Sequence, residues 1–565
     1  MSRFLPANRP AAASPKRPLV AQIAAVASLL LGAPALAAPR PPAPAIAVDP
    51  ADAAALKLAR CLGHEDPGCG RAALEELKAA VPAGSASLDM GTGIVELLAG
   101  RWGPAKVALQ KVAGLPTAPA ELRERAAAWV EVAEASAEVM KGAKSYKLAG
   151  GKVEVWLRPG PDEVLLAYLE TVLSKALPKL ESAFGALGSA SPPIQLHVYP
   201  RADDLARVSG LTLQQVRTSG TIALCKHNRV MITSPQDLLF GYAWADTVVH
   251  ELVHWFVIKR GGPQVPVWMH EGLARALQGS WRGAAPGDLD PDEKQILAAA
   301  RKKNAWIGLA RMYPSLAVLP SQDQTQLAFA EVHLAVLTLL RKTAGAAGAP
   351  PSEPLSAAGQ LVARFGQGQS EAAVIQELTG LSSAAFAAAC RREWQTLDLR
   401  DVSDAPTAKV PLVFKRGSAA GPVLAAEAKR FSELGDRLAV QRRPLAAAIE
   451  YRKALAAAPQ SGPWVVARLV RVLLDLGKPA EALDYLQPAL QSMPDHAPLY
   501  VLSGRLAVLQ SRWRDALEAL EQAAWLNPYD PQVHSLSAQA HAALGQEGEA
   551  AAARARLALV ESAGL

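Results

Sequence analysis

Residues 250–275 read "HELVHWFVIKRGGPQVPVWMHEGLAR". His250 and His254 stand four apart, so on a helix both imidazoles leave one face, one turn apart. Neutral imidazole is a good zinc ligand, and two at this spacing can grip one ion. Glu251 adjoins His250 around the helix, placed to reach a water on such an ion. Val248, Val249, Leu252, Val253 and Phe256 supply the apolar surround that buries the helix. Gly261, Gly262 and Pro263 then stop it and reverse the chain. A second helix after Pro266 can bring Glu271 back as a third ligand, with Gly272 allowing close packing against the first helix. Two histidines and a carboxylate leave a fourth tetrahedral position open, the pattern of a catalytic rather than a structural zinc. The competing reading is a helical hairpin with a few polar residues at its surface.

The chain has 565 residues, half of them apolar and a fifth charged, which suits two to four folded domains. Its net charge of +7 owes four units to Arg3, Arg9, Lys16 and Arg17, with no acid before residue 38. Removing those four leaves +3, and no nucleic-acid partner is expected. Residues 1–37 read as a secretory signal: the basic residues end at Lys16 and Arg17, the apolar run "LVAQIAAVASLLL" covers Leu19 to Leu31, and Ala35 and Ala37 are cleavage-compatible. An uncleaved anchor is the alternative. After signal removal no membrane span is expected, and the protein is expected to be periplasmic or secreted. Export permits disulfides, and Cys61 and Cys69, bracketing "CLGHEDPGC", are the natural pair. A zinc site with His64 would lack a fourth ligand. Cys225 and Cys390 either pair or remain buried thiols.

Six segments make up the chain: the signal 1–37, a Pro-rich linker 38–49, a helical repeat-like domain 50–146, a domain over 147–397, a linker 398–422 and a repeat domain 423–565. In the fourth of these six, "KVEVWLRP" (152–159), "IQLHVYP" (194–200), "GTIALC" (220–225) and "RVMITS" (229–234) read as strands, the last two joined at "KHN" as a hairpin. A long helix is expected over 163–185 and mostly helix from 250 to 397. The fold class is α+β, a small mixed sheet with helices, flanked by all-α repeats.

Ala448, Ala482, Ala516 and Ala550 recur every 34 residues, Pro459, Pro494 and Pro528 at 35 and 34, and Leu476-Gly477 returns as Leu544-Gly545. Period and residue types resemble the tetratricopeptide repeat. Such stacks bind proteins or peptides, the alternative being a helical spacer. Deleting residues 423–565 is expected to spare the chemical step on a short peptide, since the repeats carry none of the ligands, and to weaken action on a protein substrate if they recruit it.

"HELVH" followed by "WMHEGLA" resembles the gluzincin metallopeptidases of the bacterial peptidase MA-like type, over about residues 150–397. "GTIALC", "LAFAEVHLAVLTLL" (327–340) and "ELTGLSSAAFAAACRREW" resemble further parts of that family's domain. The resemblance implies a zincin-like fold with Zn2+ on His250, His254 and Glu271, and Glu251 as general base. Zinc would acidify a water, Glu251 would take its proton, and the resulting hydroxide would attack a peptide carbonyl. The family's aromatic hydroxyl falls at Phe329, which has none, so the oxyanion partner is open; His333 is the candidate, against a core role. His270 is expected to face substrate or to pack rather than to ligate. Asp246, one turn before His250, either orients its second ring nitrogen or faces solvent. An extended peptide or protein substrate would add as a strand along Gly220 to Cys225. Two other readings remain: an inactive repeat-based interaction protein, and a zinc hydrolase of a non-peptide amide.

Overall fold

The computed structural model describes residues 49–562, apart from 189–190, 284–288, 314–315, 317–318, 347–353, 400–411, 416–424 and 459–461. The signal expected over 1–37, the Pro-rich linker up to residue 48, most of the 398–422 linker and Pro459 lie outside the described residues. What is described divides into two compact units, ending and starting at Glu134 and Ala135.

The first unit is helical: α1 (Pro50–Gly63), α2 (Pro67–Ala80), α3 (Ala86–Leu98) and α4 (Trp102–Ala113), with Leu122, Trp129 and Val132 of α5 (Ala120–Val139) in the same core. The Asp66 carboxylate accepts the first free N–H groups of α2, from Gly68 and Cys69, which caps that helix. Cys61 and Cys69 are disulfide-bonded, stapling α1 to α2 across that turn.

The second unit opens with β1 (Lys144–Leu148), β2 (Val153–Leu157), α6 (Leu165–Phe184), β3 (Ile194–Tyr199), α7 (Ala202–Ser209), α8 (Leu213–Ser219), β4 (Ala223–Lys226) and β5 (Arg229–Thr233). The sheet order is β1-β2-β3-β5-β4, with the inner pairs parallel and the outer pairs antiparallel. This is the small mixed sheet read from the sequence, with one strand more. β1 escaped that reading because only Tyr146 and Leu148 are even half-buried, which gives an edge strand little apolar alternation. The β4–β5 hairpin turns on His227 and Asn228, both left-handed (φ 59° and 61°), the two-residue geometry that matches strand twist.

The α-helices after the sheet fall into two groups. First come α9 (Trp244–Gly261), α10 (Val267–Leu277), α11 (Pro291–Lys302), α12 (Gln322–Ala346), α13 (Pro354–Gly366), α14 (Glu371–Thr379) and α15 (Ser383–Thr396), which share one apolar core with α6 and the sheet. Then four helix pairs repeat: α16 (Ala426–Val440) with α17 (Pro444–Ala457), α18 (Gly462–Asp475) with α19 (Pro479–Ser492), α20 (Ala497–Leu509) with α21 (Trp513–Leu526), and α22 (Pro531–Ala543) with α23 (Glu547–Glu561). The 34-residue alanines all sit early in the second helix of a pair and all are buried. Their small side chains let the paired helices approach closely. Among the described residues, no single helix is long and apolar enough to cross a membrane.

The repeats are not a separable appendage. Trp525, Tyr529 and Val560 belong to the same apolar core as the sheet and the metal-motif helices. The contact is made by the ends of repeat helices and the turns between them. Phe240 packs tilted against Trp464 and His496, at ring-centroid distances of 4.5 and 5.3 Å. Tyr242 N–H donates to the Leu526 carbonyl (3.0 Å) and the Trp244 indole N–H to that of Ala524 (3.1 Å). The Tyr529 hydroxyl donates to the buried Asp162 carboxylate (2.5 Å), which also accepts from Ser234 (2.6 Å) and Gln236 (3.0 Å). Part of the expected linker is pinned too: Leu239 N–H donates to Val413 O (2.8 Å) and Lys415 N–H to Asp237 O (2.8 Å). Removing residues 423–565 would therefore also strip large apolar side chains from a shared core.

Gly241 marks the tightest point of this docking. Its φ is +68°, and a Cβ there would lie 2.1 Å from the Leu526 carbonyl oxygen. Gly84 is also left-handed (φ +77°) but faces open space. Gly84→Ala should cost only the backbone penalty, about 1–2 kcal/mol. Gly241→Ala should add an overpacking cost and reach roughly 3 kcal/mol or more. Urea midpoints of the two variants check this; equal losses would show that the repeats are not clamped at Leu526.

Candidate metal centre

The expected ligands converge. His250 and His254 leave one face of α9, and their Nε2 atoms lie 3.2 Å apart. Glu271, on α10, places Oε2 3.5 Å from His250 Nε2 and 3.6 Å from His254 Nε2. Among the described residues these three form the cluster of metal-binding side chains, their donor atoms all within 4.8 Å of one another. Zinc–ligand bonds of 2.0–2.1 Å in a tetrahedron set donor atoms about 3.3–3.4 Å apart, so the observed triangle has the right size.

Local sequence explains the approach of the two helices. Gly262, at φ +65°, ends α9, and the basic Lys259 and Arg260 stand in its last turn, where they complement the helix dipole. Pro266 then starts α10. Gly272 does allow a close contact, but with α12 and not with α9: a Cβ would meet Val336 Cγ2 at 2.4 Å and the Val332 carbonyl at 2.5 Å. α10 is thus pressed between the helix carrying the histidines and α12.

The electrostatics follow from burial. Burial opposes the Glu271 carboxylate, yet His254 and His250 outweigh it and hold the group well below the usual carboxylate range. Glu251 is pushed up to about 7, by burial first, with His254 pulling down and Glu271 pushing up. Its carboxylate also accepts the Cys225 backbone N–H, so the edge strand β4 runs directly beside it. The His270 ring lies 5.6 Å from that of His254 and is outside the ligand triangle. Burial lowers it to about 3, leaving it a neutral, packing imidazole.

One expectation is corrected. Asp246 neither orients His250 nor faces solvent; it accepts from the Trp281 indole (2.7 Å) and pairs with Arg282. The His250 Nδ1 instead meets Gln278 Oε1 at 3.2 Å. Gln278 lies seven residues after Glu271, two helical turns on along the same face, a periodicity that could have singled it out. The buried His333 turns its Nδ1 to Glu293 Oε2 (2.7 Å), on α11, and is not in the cluster. The pair fixes the ring through Nδ1, and its Nε2 has no hydrogen-bond partner among the described residues. Phe329 packs under the Arg275 guanidinium, 4.9 Å from the ring centre. Cys225 and Cys390 are both free thiols.

With Gln278 Oε1 accepting from Nδ1–H, His250 keeps its Nε2 lone pair toward the cluster. Gln278→Leu should release that preference. Nitrogen-15 NMR of the imidazoles should then show His250 as a tautomer mixture, while His254 stays as it is. An unaltered His250 would mean that Gln278 does not hold the ring.

Comparison with known proteins gives one family match: the tetratricopeptide repeat, over residues 473–540. No curated protein matches the chain. Similar solved structures include TTC0263, a thermophilic repeat protein of Thermus thermophilus, at 24% identity and TM-score 0.23 over 24% of this chain and 75% of that one. MamA from Desulfovibrio magneticus is another, at 17% identity and TM-score 0.23, over 25% of this chain and 78% of that one. Native yeast LTA4 hydrolase shares 11% identity at TM-score 0.28, over 74% of this chain and 66% of that one. At such TM-scores none of these likenesses bears on function. The match over 473–540 coincides with the alanine ladder and the stacked helix pairs, and it makes this a mostly helical protein that carries tetratricopeptide repeats, a fold suited to binding other proteins.

Proposed function

We infer that the chain is an exported zinc-dependent metallopeptidase of the gluzincin, peptidase MA-like type, whose second unit combines a zincin-like domain with the repeats. The observation that carries this reading is the triangle of His250 Nε2, His254 Nε2 and Glu271 Oε2 with the buried carboxylate of Glu251 beside it. The donor set fits zinc: two imidazoles and one carboxylate, at tetrahedral spacing, one of them steered by an amide behind it. A zinc ion held there would polarise the scissile carbonyl and acidify a water at neutral pH.

The chain's own groups supply the rest. Glu251 accepts a proton at its carboxylate and delivers it to the departing amine. Burial raises the proton affinity of that carboxylate, which favours its taking the proton. β4 is the edge of the sheet: Ala223 to Lys226 pair with β5 on one side, and on the other the Cys225 N–H is already donated to Glu251. An extended peptide can add along the outer side of β4 before Cys225, antiparallel or parallel, with its backbone beside Glu251. The start of this edge is covered, since Leu412 lies against Gly220, so the strand-adding stretch is shorter than Gly220–Cys225. The Cys61–Cys69 disulfide supports an oxidising compartment, periplasmic or extracellular. The repeats favour a protein as substrate or partner.

Protein purified without chelator should hold one zinc per chain, and His254→Ala should lose it. Glu251→Gln should keep the zinc while peptide hydrolysis falls by roughly 10²–10⁴-fold. Zinc analysis beside a peptide-library assay reads both. Hydrolysis untouched by Glu251→Gln would assign the chemistry elsewhere, and zinc-loaded wild type that cuts no peptide would favour a binding protein.

A further inference from the structure

Trp525 lies in the third helix pair, near the end of α21, yet it is only 8% exposed and sits among residues of the sheet-and-helix core. It stands edge-on to Trp281 at 4.6 Å, edge-on to Tyr168 at 5.3 Å and tilted against Trp244 at 6.0 Å. Two of those partners are the ends of the ligand-bearing helices. Trp244 is the first residue of α9, six residues before His250. Trp281 follows the end of α10, three residues after Gln278, the residue that meets His250 Nδ1.

The contacts close into a ring. The Trp281 indole N–H donates to Asp246 (2.7 Å), which lies on α9 one turn before His250. The Trp244 indole N–H donates to the carbonyl of Ala524, the residue next to Trp525. Arg282 pairs with the other oxygen of Asp246 and lies over the Trp281 ring at 5.5 Å. α9 and the end of α10 are therefore held to each other by Asp246 and Trp281, and both are held to the repeat array by Trp525.

We propose that Trp525 is a positioning residue for the His250–His254–Glu271 centre, so that the repeat array sets the spacing of the two ligand-bearing helices. The proposal rests on the metal reading above. It makes the repeats part of the metal centre's construction as well as a surface for a protein partner. Coupling is reciprocal by linkage: whatever shifts α21 at Trp525 changes metal affinity, and metal changes how firmly α21 is docked.

The test uses the full chain and two probes, zinc and cobalt(II). Trp525→Leu removes the ring between Trp244 and Trp281, and Trp525→Phe keeps an aromatic there. Trp244→Phe is the gentler third variant, losing only the indole bond to Ala524. Trp525→Leu should weaken zinc, measured by competition with a chromophoric chelator, by about tenfold or more, the range seen when groups behind metal ligands are lost. Its cobalt(II) absorption bands should shift, since they report ligand geometry, while circular dichroism keeps the helical signal. Trp525→Phe should recover most of the affinity, and Trp244→Phe should fall between. Folded Trp525→Leu, or folded Trp244→Phe should the first not fold, with wild-type zinc affinity and cobalt spectrum overturns this proposal alone. Wild type that binds neither metal overturns the metal reading and this proposal together.

Discussion

Four polar groups that dislike an apolar interior, two imidazoles and two carboxylates, are set side by side between tightly packed helices. Each would be costly to bury alone, by several kcal/mol for an unpaired charge. Their mutual contacts, the Gln278 amide and the Cys225 N–H offset part of that cost. The rest of the larger unit is arranged so that they cannot separate. α12 presses on α10 through Gly272, β4 lies against Glu251, and the repeat turns fasten the start of α9. A cluster held this firmly without gaining much stability of its own has the character of a prepared binding site.

Much of this is legible from residue types and spacing. The four-residue separation of His250 and His254 fixes them to one face of any helix, and Gly261-Gly262-Pro263 can only end it. The strands around "KHN" are readable for the same local reason: His227 and Asn228 tolerate left-handed backbone between two β-branched runs. Contacts that depend on distant segments are not readable in this way. Asp246 has an ordinary solvent-facing pattern until Trp281 and Arg282 arrive from 35 and 36 residues away. Nothing local reveals that Glu293, 40 residues upstream, reaches the Nδ1 of His333. Gly272 makes the kind of contact its residue type implies, with a neighbour that only the folded chain reveals.

The repeat array shows the same division. Its period is a local property, visible in four alanines, and the helix pairs follow from it. Its docking is not. Trp525, Tyr529 and His496 look like ordinary repeat residues, and only the folded chain shows that they lie along one row of turns facing Phe240, Tyr242 and Asp162. Helix residues join that row, with Trp525 and Val560 in the shared core and Tyr168 against Val501 and Ala523.

The sequence distances spanned by this docking carry a kinetic consequence. Trp244 and Ala524 are 280 residues apart, and Asp162 and Tyr529 are 367. A chain made from its N-terminus has its metal-motif helices complete long before the residues that cover Trp244 exist. Closing loops of this length is slow, and contacts of such high order form late. The aromatic surface at the start of α9, flanked by Tyr168 from earlier in the chain, is therefore completed only when α21 docks. Maturation of this molecule runs against the order of its chain: the centre comes first in sequence and last in assembly.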